Sequence, residues 1–159
     1  MNFLKILGAV LVAFSGALLA RSLNVGERRT LAQIEGMLAF LRFVRTNIEA
    51  YSMPLSEILF RCPKNIYESC GYSREVPPST VGELLESLTV ADGFTAERLS
   101  EFAAEVGKGY RDEQLALLSR TLDALEERRQ VHSRALPSRT RVNVAVCLGV
   151  SLSAVILLF

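Results

Sequence analysis

The sequence predicts an all-α protein, a small helical bundle with one transmembrane helix at each end. Three observations carry that prediction. Phe3 to Ala20 holds a single charge, Lys5, and Val142 to Phe159 holds none. Between them apolar residues recur at helical three- and four-residue steps. Nowhere does a convincing period-two alternation suggest a strand.

Each terminal run has the length of a span. At a rise of about 1.5 Å per residue, a helix of ~18 residues reaches ~27 Å, close to the ~30 Å hydrocarbon layer of a bilayer. Lys5 sits near enough to the first end to snorkel to the interface. The alternative for this run is a cleaved signal peptide. Leu18-Leu19-Ala20-Arg21 makes a poor small-x-small cleavage site, and no cysteine follows for a lipoprotein. The reading is an uncleaved anchor. Arg21, Arg28, Arg29, Arg134, Arg139 and Arg141 all flank the spans on the central side, so the positive-inside rule expects residues 21–141 in the cytoplasm. The expected organisation is a span at 1–20, a cytoplasmic bundle at 21–141 and a span at 142–159.

In the central segment Leu31, Ile34, Leu38, Leu41, Val44 and Ile48 form one apolar stripe that no strong breaker separates from the first span. A helix is expected to run on from the membrane, softened at Asn24-Val25-Gly26. Ser52 and Pro54 suggest a cap and first turn for a short helix ending near Arg61. Pro63, Gly71, Pro77 and Pro78 predict mostly loop from Lys64 to Ser79, with room for a short helix around Ile66 to Cys70. Thr80-Val81-Gly82-Glu83 is a capping box before Leu84, Leu85 and Leu88. Gly93 is expected to break the chain, and Thr95 to cap a helix carrying Leu99, Phe102, Ala103 and Val106.

Gly107-Lys108-Gly109-Tyr110 predicts a tight turn whose glycines take positive φ. Leu115, Leu118, Leu122 and Leu125 then mark a long amphipathic helix that reaches His132, and Pro137 is expected to end or kink it. The two long helices pack antiparallel, with short helices across them.

Chemistry is harder to find. Eighteen Lys and Arg against 17 Asp and Glu leave a net charge of +1, which is not the footprint of a nucleic-acid binder. Cys62 and Cys70 lack a second pair, Cys147 lies in the second span and His132 is the only histidine, so neither a disulfide framework nor a zinc site is expected. Gly107-Lys108-Gly109 lacks the spacing and preceding strand of a phosphate loop. Glu83, Glu86, Glu97, Glu101, Glu105, Asp112 and Glu113 read as solvated helix faces. His132 has no nucleophile or acid in a motif beside it. Asn143 suits the lipid interface or a hydrogen bond to another span. The sequence therefore predicts no enzyme, no cofactor, no metal and no small-molecule substrate.

Ile48, Pro54, Leu55 and Leu59 are similar to the Ile-x5-Pro-Leu-x3-Leu stretch of the stage III sporulation protein AB family, and Phe102-x3-Val106-Gly107-x6-Gln114 is similar to its Phe-x3-Leu-Gly-x6-Gln turn. Arg111 and Asp112 fit the charged residues before that glutamine. The layout resembles the family over essentially the whole chain. Tyr110 stands where the family usually has Asp, and Asn47 where it often has Glu. The resemblance implies a helical domain similar to the cytoplasmic domains of the type II secretion F protein. It also implies a platform in the mother-cell membrane around the forespore, contacting a cytoplasmic ATPase, stage III sporulation protein AA, and other membrane proteins. The turn supplies the expected partner-binding residues, Gly107, Tyr110, Arg111 and Gln114. A competing expectation is a secreted or surface helical interaction protein with a cleaved leader and a C-terminal tail anchor.

Overall fold

The computed structural model describes residues 2–158, with side chains described only in part over 2–24 and 139–158. Among the described residues six helices follow one another: α1 (Asn2–Tyr51), α2 (Leu55–Arg61), α3 (Lys64–Cys70), α4 (Val81–Glu86), α5 (Gly93–Glu105) and α6 (Arg111–Leu158). No strand occurs among the described residues, so the all-α class holds. The chain divides into two units, Thr30–Val131 and the pair Met1–Arg29 with His132–Phe159.

In the Thr30–Val131 unit the α1 stripe is buried at Ile34, Leu38, Leu41, Val44 and Ile48, and widened by Met37 and Phe40. The α6 stripe meets the same core through Leu118, Leu122 and Leu125. Their direction follows from the polar ties. Arg129 Nη1 lies 3.7 Å from Glu35 Oε1, Arg42 Nη2 lies 3.1 Å from Glu126 Oε2, and Arg111 reaches Ile48 and Glu49. Rising α1 numbers meet falling α6 numbers, so the two helices run antiparallel. Burying such side chains stabilises by about 1.5–3 kcal/mol each before chain entropy is set against it.

The short helices close the core through devices that the apolar pattern does not show. Ile66 to Cys70 belongs to a helix that starts earlier than expected, at Lys64, so the stretch after Pro63 is less loop-like than its glycine and prolines predict. It stops at Gly71, whose φ of 96° is left-handed, with Tyr72 N–H on the Tyr67 carbonyl at 2.9 Å. Tyr67 O–H donates to the Leu59 carbonyl at 2.6 Å and ties α3 to α2. The backbone of Ser69 and Cys70 lies directly on α1 at Gly36, where a Cβ would overlap the Ser69 carbonyl and come within 2.8 Å of Cys70 N. Only glycine permits that approach. Gln33 spans the same seam, donating to the Thr89 carbonyl at 3.1 Å and accepting from Ala91 N–H at 3.2 Å.

Several local expectations need correction. Pro54, not Ser52, precedes α2 as its N-cap, because Ser52 is taken up in ending α1. Asp92, not Thr95, caps α5: its carboxylate accepts the Thr95 N–H at 3.0 Å and the Thr95 hydroxyl at 2.7 Å. Gly93 therefore opens the helix instead of breaking the chain. Thr80 does accept the Glu83 N–H at 3.1 Å, but the Glu83 carboxylate reaches back to Ser79 N–H, one residue beyond the N-cap that it meets in the usual box. Only Gly107 of the turn glycines takes positive φ, 83°. Pro137 does not end α6, and α1 passes 24–26 without a break. A proline removes one N–H from the ladder, and here the orphaned carbonyl belongs to exposed Ser133, where water can satisfy it.

In the other unit, His132 Nδ1 lies 3.7 Å from Glu27 Oε2. Phe14, Leu18, Val142, Val146 and Val150 are exposed. Among the described residues no helix is long and apolar enough to cross a membrane. Most side chains of the two expected spans, with those of Lys5, Arg139 and Asn143, lie outside the described residues.

Candidate docking corner

Chain ends of helices leave carbonyls without intrahelical partners, and the end of α1 shows how this protein satisfies them. Ser52 adopts φ 49°, a left-handed conformation that costs a non-glycine residue about 1 kcal/mol, and places its N–H on the Ile48 carbonyl at 3.1 Å. Met53 precedes Pro54 and is kept out of the helical region by it, so the chain turns outward into α2. Two carbonyls at this end also receive a donor from α6. Arg111 donates from Nε to Ile48 O at 3.3 Å and from Nη2 to Glu49 O at 2.6 Å, a cation at the negative end of the α1 dipole.

The turn from α5 into α6 is held from within. Val106 N–H returns to the Phe102 carbonyl at 2.8 Å, and Gly107 then reverses the chain. Glu113 accepts Tyr110 N–H at 2.9 Å, which supplies a cap from within α6. A Cβ on Gly109 would run into that Glu113 carboxylate, so this glycine makes room for the cap. Gln114 Nε2 donates to the Gly109 carbonyl at 2.9 Å.

These two stretches line one cavity of about 380 Å³, with Ile48, Met53, Leu55, Gly107, Arg111 and Gln114 among its walls. The sequence singles out both stretches separately. The structure brings Gly107, Arg111 and Gln114 together there and leaves Tyr110 outside, 85% exposed. Tyr51, also exposed at 70%, stands next to the carbonyls that Arg111 caps. Three of the four predicted site residues thus have structural duties: Gly107 bends the chain, Arg111 caps α1 and Gln114 ties the turn. The sequence marks Ser52 only as a helix cap and does not single out Tyr51 or Met53 as site residues. A cue existed in Tyr51-Ser52-Met53-Pro54, where an aromatic precedes a proline-directed reversal.

Arg111 is the one charged wall residue, so the cavity offers shape and apolar surface without an acid–base pair. Nor do the thiols offer a nucleophile. Cys62 and Cys70 form no disulfide and are buried, and burial pushes Cys62 up to about 11 and Cys70 up to about 12, so both are protonated at neutral pH. Among the described residues no cluster of three or more His, Cys, Asp and Glu stands ready for a metal. The strongest electrostatic feature lies elsewhere, where Arg128 grips Asp92 with Nη2 at 2.5 Å from Oδ1 and Nε at 3.0 Å from Oδ2. The Arg128 guanidinium and the Thr95 donors hold the Asp92 carboxyl well below the usual carboxylate range, against the opposing effect of its burial. This pair anchors the α5 cap to α6. No family model, curated protein or solved structure matches this chain.

Proposed function

We propose that the protein is a membrane-anchored platform without chemistry of its own, whose central helical domain docks a cytoplasmic ATPase through the corner where α1 ends and α6 begins. The observation that carries the proposal is the convergence on one cavity of the two stretches that resemble the stage III sporulation protein AB family. Exposed tyrosines flank it, and aromatic side chains are frequent binding hot spots because they bury large area at small entropic cost. Anchoring is supported by the apolar terminal runs, by exposed Phe14, Leu18, Val146 and Val150, and by the six arginines on the central side. On this reading the protein belongs to a secretion-like sporulation assembly in the mother-cell membrane, with both ends in the bilayer.

The test replaces Tyr51 and Tyr110 together by alanine, since neither side chain carries the turn. Arg111 is unsuitable because its removal uncaps α1. Co-isolation of the stage III sporulation protein AA-like ATPase from sporulating cells should be lost while helical signal and melting temperature stay unchanged. Retained co-isolation would reject the corner as the docking site.

A further inference from the structure

The net charge of +1 conceals a division of the chain by sign. The unit made of Met1–Arg29 and His132–Phe159 carries seven Lys and Arg against one acid, Glu27, a formal side-chain charge of +6. Thr30–Val131 carries 11 Lys and Arg against 16 Asp and Glu, a formal charge of −5. The cations of the two units are also differently employed. In Thr30–Val131, Arg42, Arg45, Arg61, Arg98, Arg128 and Arg129 each lie within 3.7 Å of a carboxylate. In the other unit Arg21, Arg28, Arg29, Arg134 and Arg141 are exposed, and among the described residues no ion pair joins any of them to a carboxylate.

Their placement follows from the helices that carry them. Glu27 on α1 lies 3.7 Å from His132 on α6, which sets the two helices level at that point. None of the five arginines is more than nine residues from this contact, ~14 Å along a helix axis. Arg21 and Arg28 stand seven residues apart on α1, and Arg134 and Arg141 seven apart on α6. Seven residues are close to two turns, so each helix turns a pair of arginines to one side, ~10 Å apart along its axis. The headgroup layer of one leaflet is only about 5–8 Å deep, so cations spaced in this way straddle it.

We propose that these arginines form a collar that binds the phosphates of anionic phospholipid, so that the protein gathers such lipid around its anchored end. The inference rests on the anchored reading above and adds the class of lipid to it. A guanidinium offers phosphate a planar fork of donors and keeps its charge at every physiological pH. Clustered cations beside an apolar helical run attract anionic lipid, each adding to the effect. A nucleic acid would draw on the same cations, but the −5 of the central unit repels a polyanion. Exposed Phe14, Leu18, Val142 and Val146 continue the arginine-bearing helices in apolar surface, which suits a bilayer and not a strand in water.

The test reconstitutes the full chain in vesicles of phosphatidylcholine with about a tenth part of phosphatidylglycerol, and cuts out protein-bearing discs with a styrene–maleic acid copolymer. The share of phosphatidylglycerol in the discs is then measured. The native chain should enrich it about threefold over the starting vesicles. Arg21→Gln, Arg28→Gln, Arg134→Gln and Arg141→Gln together should bring the enrichment below ~1.5-fold, with the helical signal retained because Gln is a good helix former. Arg61→Gln, Arg74→Gln, Lys108→Gln and Arg120→Gln remove the same charge from exposed positions of the central unit and should leave the enrichment at the native value. Equal enrichment by the two variants, or no enrichment around an inserted native chain, would overturn the proposal and leave the anchored reading standing. A chain that alkaline carbonate strips from the vesicles would overturn both. A labelled single-stranded RNA that the native chain binds in detergent and the first variant does not would assign the arginines to nucleic acid and overturn the proposal.

Discussion

Two glycines mark opposite kinds of surface in the central unit. At Gly36 the missing side chain lets the backbone of Ser69 and Cys70 lie on α1, and the seam is closed. At Gly107 the missing side chain permits φ 83°, and a Cβ would meet only Leu55 Cδ2 at 3.7 Å, so the corner stays open. One glycine is needed for space and the other for conformation. A substitution at the closed seam is expected to cost stability, and on the proposed reading one at the open corner is expected to change binding instead.

The largest effect should come from breaking the core behind the seam. Leu118, fully buried, should cost ~4 kcal/mol as Leu118→Asp, because an unpaired carboxylate enters an apolar stripe. Asp in place of exposed Glu113 should be mild in overall stability, and equal chemical denaturation of the two variants would refute the stripe. Next comes Gly36→Ala. Helix propensity alone would favour alanine by about 1 kcal/mol, yet backbone atoms of α3 must move to admit the methyl, so a net loss of ~2 kcal/mol is expected. A stabilised Gly36→Ala variant would mean that the seam is not closed.

These two predictions differ in how far the sequence foretells them. The Leu118 stripe is legible because its period repeats through four residues of one helix. Gly36 is not, since a glycine inside an apolar helix pattern looks like a mild defect until the partner backbone from α3 is placed. Asp92 is similar: the helix start was readable near Thr95, but a cap that also binds Arg128, 36 residues on, depends on tertiary placement. The corner was half legible. Both stretches stood out, but that Arg111 caps α1 follows only from the antiparallel packing.

Asp92 supplies a pH test of the closed region. Its folded value is depressed, so its contribution is fully present above the unfolded value near ~3.9 and fades as pH falls below it toward the folded one. Asp92→Asn should lose ~2 kcal/mol at pH 6, where a buried partner loses its charge pair. The gap to the native protein should narrow at pH 3, and a gap that widened would contradict the pairing. Smaller again is Gly107→Ala, ~1 kcal/mol for a left-handed alanine. A larger loss would make the corner a stability element after all.

The central claim, an anchored platform with its helical domain in the cytoplasm, is tested most directly by topology. Cys62 and Cys70 are poor reporters because they are buried and protonated. Ser79 is exposed, so Ser79→Cys gives an accessible thiol in the central unit. In intact cells a membrane-impermeant maleimide should leave Ser79→Cys unlabelled, and permeabilising the inner membrane should label it fully. Labelling from outside intact cells would place the domain on the wrong side for a cytoplasmic ATPase and contradict the account.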